Sequence, residues 1–187
     1  PLEKWNVSNV RDMQWVFVNA ISFNQPLEKW NVSRVTIMTE MFDGAKSFNH
    51  PLEKWDVSNV EDMFAMFRNA RSFNQPLEKW NVSKVTNMNE MFSGAVSFNQ
   101  PLENWDVSNV TSMGGMFKDA KSFDQPLEKW NVSNVTFMMN MFKGASAFSH
   151  YPQSWVIPGE YADEMFTGTR VEQLAKEKPL KIEKRSE

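Results

Sequence analysis

"PLEKWNVSNVRDMQWVFVNAISFNQ", residues 1–25, is followed by "PLEKWNVSRVTIMTEMFDGAKSFNH", residues 26–50, and near copies begin at residues 51, 76, 101 and 126. Trp recurs at 5, 30, 55, 80, 105, 130 and 155, a strict spacing of 25, with Trp15 alone off that register. Phe17 is followed by Phe42, Phe67, Phe92, Phe117 and Phe142, and Phe23 by Phe48, Phe73, Phe98, Phe123 and Phe148. A fixed period with fixed apolar positions is the mark of stacked repeats, each burying its face against the next. The chain holds 8 Trp, 13 Met and 15 Phe. Their regular spacing assigns them to a stacked core, and no cofactor box is needed to explain them.

Inside one unit the pattern changes period. In "LEKWNVS" Trp5 and Val7 alternate with Lys4, Asn6 and Ser8, which predicts a half-buried strand. Met13, Val16, Phe17 and Ala20 then fall at i, i+3, i+4 and i+7, which predicts a helix of about two turns, α or 3₁₀, starting near residue 11. The position after it holds Asn19, Gly44, Asn69, Gly94, Asp119 and Gly144, the residue types that accept a left-handed backbone. "FNQP" turns the chain back. The expectation is an α/β repeat solenoid, leucine-rich-repeat-like, with one parallel strand and one short helix per 25-residue rung. Strands repeat at about 4.8 Å and helices at about 8–10 Å, so the array should curve with its strands on the concave side.

Residues 1–150 read as six repeats and 151–169 as a degenerate seventh, in which Met165-Phe166 comes one residue early. Residues 170–187 read as a C-terminal capping helix, ended by Pro179, and a charged tail with "KIEKRSE" mobile. A cap is expected because an end unit otherwise exposes its core.

The core "W[ND]VSNVT.M..MF.GA..FN" resembles the 25–26-residue repeat of BspA-like leucine-rich-repeat surface proteins and bacterial lipoproteins. The likeness is close over 1–150 and loose over 151–169. Trp5, Val7 and Val10 stand where Leu would be expected. The resemblance implies a cell-surface or secreted solenoid with an adhesion or host-matrix-binding role, and no catalytic residues.

Composition narrows the remaining classes. Twenty basic and 23 acidic residues give the 187-residue chain a net charge of −3, which offers no basic field for nucleic acid. No apolar run is long enough to span a bilayer. Cys is absent, removing disulfides and thiolate metal sites. The start at Pro1, in register and without a signal peptide, reads as a segment cut from a longer chain.

Enzyme chemistry finds little support. His50 and His150 replace Gln at one repeat position, four units apart. They read as hydrogen-bonding equivalents of that Gln rather than as a general base. Asp56 and Asp106 replace the Asn of 6, 31, 81 and 131. A calcium site is one reading and an amide ladder along the stack the other; the thin carboxylate supply favours the ladder, and no metal or cofactor is expected. The "NVS" and "NVT" triplets at Asn6, Asn31, Asn81, Asn109, Asn131 and Asn134 follow from the repeat itself.

Two surfaces remain as binding candidates. The expected concave face carries Lys4, Asn6, Lys29, Asn31, Lys54, Asp56, Lys79, Asn81, Asp106, Lys129 and Asn131 beside a column of Glu. Its monotony suits a periodic ligand such as a polysaccharide, or no ligand. The expected helix side varies from unit to unit and exposes Trp15, Ile37, Phe64 and Phe137, which suits a host-matrix protein. The function expected is a non-enzymatic surface adhesion module, with a passive spacer or self-assembling scaffold as the alternative.

Overall fold

The computed structural model describes residues 2–158 and 164–183. Successive 25-residue units lie on one another in register. Single parallel β-bridges join Asp12 to Ile37, Ile37 to Asp62, Asp62 to Asn87, Asn87 to Ser112 and Ser112 to Phe137. Two columns of phenylalanine fill the interior, with rings 3.9–4.2 Å apart inside a unit. Phe42, Phe67, Phe92 and Phe117, with Phe48, Phe73, Phe98 and Phe123, are fully buried. Each such ring withdrawn from water contributes about 2–3 kcal/mol, and offset stacking adds about 0.5–1.5 kcal/mol. The tryptophans form a third column. The indole N–H of Trp30, Trp55, Trp80, Trp105 and Trp130 donates to the Leu carbonyl 28 residues earlier, at 2.9–3.0 Å.

The local elements differ from those the spacing predicts. No strand forms over 2–8 or its equivalents in the first six units, only over Val156–Pro158 in the seventh, and no helix forms over 11–18. Among the described residues the only α-helix is α1, Glu172–Glu177. A unit is instead a run of i→i−3 turns with apolar residues at both ends. Trp5 N–H donates to Leu2, Val10 to Val7, Ala20 to Phe17 and Phe23 to Ala20, at 2.9–3.1 Å.

What forbids the helix is a left-handed residue at two positions per unit. One is the predicted position, Asn19 through Gly144, with φ of 55–74°. The other is Trp15, Glu40, Ala65, Glu90, Gly115 and Asn140, with φ of 49–62°. Left-handed residues cannot continue a right-handed helix, and here they turn alternate peptide groups along the stack. The N–H groups of Met13, Trp15, Phe17 and Asn19 donate to the carbonyls of Ile37, Thr39, Met41 and Asp43 at 2.9, 3.1, 2.9 and 2.6 Å. The same four columns run on from unit to unit. Two others, through Thr36 N–H to Arg11 and Ser47 N–H to Ile21, run the opposite way. The backbone donors are thereby satisfied about equally by the unit's own turns and by the neighbouring units, as burial requires.

Equivalent points are not equally spaced. Rings of the Phe17 column step by 5.3–5.7 Å. Those of the Phe23 column step by 5.7–6.2 Å, and Trp30 to Trp55 by 6.4 Å. Hydrogen bonding holds the 12–19 ladder close, so the segment bearing Lys4, Asn6 and their equivalents lies on the wider side of the stack, not the tighter one.

The C-terminal end is closed. β1, Val156–Pro158, pairs in parallel with β2, Lys181–Glu183, in the register Ile157 to Ile182. α1 lies between them in sequence, and Val171 and Leu180 are buried at its flanks. Phe166 still stacks on Phe142 at 5.5 Å, although it comes one residue early. Gly168 keeps the left-handed backbone of its column, with φ of 77°, and its N–H donates to Glu172 at 2.8 Å. The expected mobile tail therefore begins as a strand. Residues 184–187, and 159–163 of the seventh unit, lie outside the described residues.

Candidate functional site

Monotonous positions are occupied by the stack itself. The side-chain oxygen of Asn6, Asn31, Asp56, Asn81, Asp106 and Asn131 accepts the N–H of the Ser two residues on, each at 3.1 Å. This is an Asx turn, which both Asn and Asp can make. The substitution of Asp for Asn is thereby explained without a metal. The Ser108 hydroxyl adds a 2.6 Å bond to Asp106 and, with the Ser108 N–H, lowers the pKa of that carboxyl. Among the described residues no group of three or more His, Asp or Glu converges to hold a metal ion.

An amide ladder does run along the stack, but one turn away from where Asn6 places it. Asn24 Oδ1 accepts the N–H of Asn49, Asn49 that of Asn74, Asn74 that of Asn99, and Asn99 that of Asp124, at 2.8–3.0 Å. Gln75, Gln100 and Gln125 brace the same oxygens from the side at 3.0 Å. At that position the two His reach carboxylates instead, His50 to Glu28 at 3.9 Å and His150 to Asp124 at 3.6 Å.

Lysines of the same face meet the Glu column of the preceding unit. Lys29 lies 4.0 Å from Glu3, Lys79 2.5 Å from Glu53, and Lys129 2.9 Å from Glu103. Asn104, the break in the Lys column, donates to Glu78 at 2.7 Å. Lys4 and Lys54 are exposed. Such exposed pairs contribute little to stability, yet they leave the face nearly neutral.

The variable positions lie along the turn edge, with their side chains largely outward. Trp15 is 55% and Phe137 37% exposed, while Ile37 and Phe64 are half-buried. They do not form one patch: they belong to units one, six, two and three. Ile37 and Phe137 sit on the bridge column. A Cβ on Gly114 would lie 2.1 Å from the Phe137 ring, so Phe137 covers that glycine. Phe64 carries the Arg68 guanidinium 5.8 Å above its ring.

Arg68 is the hub of this edge. It binds Asp43 at 2.7 Å, Glu90 at 2.9 Å and Glu40 at 3.3 Å, tying three units together. The Asp43 hydrogen bond is the largest of the influences holding its guanidinium protonated, above the ordinary range, against partial desolvation. Asp43 itself is buried and its Oδ1 lacks a hydrogen bond. The bidentate reach of Arg suits this role better than Lys would.

One further relation escaped the 25-residue reading. Asn or Asp and Gly alternate at position 19 through the first six units, before Gly168 follows Gly144. A Cβ on Gly44, Gly94 or Gly144 would lie 2.4–2.5 Å from the side-chain oxygen of Asn19, Asn69 or Asp119. The true repeat at this column is a pair of units, legible in the order Asn19, Gly44, Asn69, Gly94, Asp119, Gly144.

The family model described as "Mycoplasma protein of unknown function, DUF285" matches residues 1–93 and again 75–177. The chain belongs to this family. The double match to the DUF285 model, its two spans overlapping within the array, is consistent with a BspA-like repeat protein. No curated protein matches the chain significantly, nor does any solved structure. No helix of the described residues is long and apolar enough to cross a membrane.

Proposed function

We propose that this chain is a non-enzymatic solenoid module of a cell-surface or secreted protein, akin to the BspA-like leucine-rich-repeat adhesins. It engages its ligand, a matrix protein or a polysaccharide, through the variable turn edge. One observation carries this reading: most of the recurrent polar groups, the Asn6 and Asn24 columns and three of the lysines, are bonded within the stack, whereas the edge exposes side chains that differ from unit to unit, such as Trp15, Lys46, Arg71 and Lys118. A surface whose side chains are spent on turns and neighbouring carboxylates has little left to offer a partner. A varied, exposed edge on a rigid array is where specificity is cheap to build.

A second reading, a passive spacer displaying another domain, is favoured by the same monotony. A glycan and matrix-protein array separates the two. The parent is compared with a face variant (Lys29→Ser, Lys79→Ser, Lys129→Ser) and an edge variant (Lys46→Ser, Phe64→Ser, Val96→Ser, Lys118→Ser). Binding kept by the face variant and lost by the edge variant is expected. The reverse pattern would return the site to the lysine face, and a parent that binds nothing would leave the spacer.

A further inference from the structure

Three turns of the variable edge read "RNAR" at 68–71, "SGAV" at 93–96 and "KDAK" at 118–121. The first and third carry two cations each at columns where the second carries Ser93 and Val96. Stacking therefore sets a unit of short side chains between two units of long cationic ones. The result is a notch of about 370 Å³, floored by Ser93 and Gly94 and lined by Asn69 and Arg71 from one neighbouring unit and by Lys118, Lys121 and the carboxylate of Asp119, which Lys121 pairs, from the other.

The charges around the notch are unequal in a way that isolates it. Arg68, next to Arg71, is consumed by Asp43, Glu40 and Glu90. Lys143, one unit beyond Lys118, is neutralised by Glu164 at 2.6 Å. Lys121 holds Asp119 at 2.8 Å and the Gly144 carbonyl at 3.0 Å, leaving one ammonium hydrogen. Among the described residues Arg71 and Lys118 have no carboxylate partner, and both are exposed. Gly94 keeps the floor low, because a Cβ there would strike Asn69.

We infer that this notch binds a sulfate ester carried on a polysaccharide, an inference that rests on reading the variable edge as the binding side. A guanidinium and two ammonium groups around a recess match an anion with several equivalent oxygens. Val96 offers an apolar surface for the C–H face of the sugar. Lys46 continues the cations one unit beyond Arg71, but Ile21, Val96 and Ser146 interrupt that column and the chain is net acidic, so a nucleic acid backbone finds no continuous path.

The test is calorimetric titration of the whole chain with a 6-O-sulfated disaccharide, its unsulfated and 6-phosphorylated counterparts, and a short single-stranded DNA. Expected are saturable, salt-sensitive binding of the sulfated sugar and about tenfold weaker binding in Arg71→Ala and in Lys118→Ala. Val96→Phe, which fills the recess without changing charge, should weaken it similarly, and Lys84→Ala, an exposed cation away from the notch that is held by Asn59, should not. Equal binding by Arg71→Ala, Lys118→Ala and parent overturns the inference. So does tighter binding of the unsulfated sugar, the phosphorylated sugar or the DNA. A parent that does not bind the sulfated sugar, yet still shows edge-dependent binding on the array, removes the notch and leaves the edge reading standing.

Discussion

Residues 1–5 and 51–55 are both "PLEKW", yet Trp5 is 62% exposed and Trp55 4%. The sequence around the two rings is the same; what differs is the unit before them. Trp55 lies over Trp30 and donates its indole N–H to Leu27, whereas no unit among the described residues lies over Trp5. Trp15 and Val16 are likewise exposed in the first unit, while the corresponding Ala65 and Met66 of the third are fully buried. Burial in this protein is thus a property of the interface between units, not of a unit. A single copy of the repeat has no core of its own.

The sharpest way to break that comparison is to truncate both rings. Trp55→Ala should cost about 3–5 kcal/mol, through the lost stack, the lost indole bond and the cavity left behind. Trp5→Ala should cost under about 1 kcal/mol, as exposed substitutions do. Urea denaturation of both variants reads the difference, and equal losses would mean that the first unit is covered in solution.

Next in size is the pairing of units. Gly94→Ala should cost about 2–4 kcal/mol, from a left-handed backbone and a clash with Asn69. Asn69→Gly in the same chain should recover part of that loss, whereas Asn19→Gly, three units away, should recover none. Thermal unfolding of the single and double variants measures the coupling. Simple additivity would show that the alternation of Asn and Gly has no energetic meaning.

These two experiments also locate what the sequence made legible. Period, core columns and the left-handed position at Asn19 could be read from the letters, whereas the pairing of Val156–Pro158 with Lys181–Glu183, again 25 residues on, could not, because no aromatic marks it. The helix could not be told from turns, because Met13, Val16, Phe17 and Ala20 satisfy both. Residues three apart face one way at the ends of consecutive β-turns just as on a helix. The deciding residue is the second left-handed one, and four of the six residues in that column, Trp15, Glu40, Ala65 and Glu90, give no such signal, although Gly115 and Asn140 do. Only the hydrogen bonds of the stack hold them there. The site was half legible for a similar reason. Asn6 and Lys29 recur visibly, but recurrence alone does not say whether a side chain serves a partner or its own turn. The notch depends on neighbours 25 residues apart and appears only when RNAR, SGAV and KDAK are set side by side.

A smaller effect tests the turn role of the recurrent face. Asn81→Ala should cost about 1 kcal/mol by freeing the Ser83 N–H, as loss of a cap does, and Asn81→Asp should cost almost nothing, since Asp56 and Asp106 already do the same. Equal losses in chemical denaturation would point to a role for the amide nitrogen instead.

The smallest is at the closed end. Glu172 has its pKa lowered, first by the hydrogen bond from Lys176 at 2.7 Å and then by the Gly168 N–H. A carboxyl whose folded pKa is depressed contributes stability that is full above its unfolded value and is lost as pH falls through the folded one. The parent and Glu172→Gln should therefore differ slightly at neutral pH and converge in acid, below the ordinary glutamate range. A difference that persists or widens in acid would place the contribution elsewhere.

The four hydrogen-bonded columns through residues 13, 15, 17 and 19 have one more consequence. Their peptide groups point the same way, with only two columns opposed, so the stack carries a net dipole along its axis, as an α-helix does. Its negative pole is the first unit, where the carbonyls of Asp12, Gln14, Val16 and Val18 face outward. Its positive pole is the end where Glu172 sits, an anion where a helix would also favour one. The molecule is therefore vectorial. Two first units brought face to face would set carbonyl against carbonyl, so any body that covers the exposed Trp5 and Trp15 must arrive presenting hydrogen-bond donors.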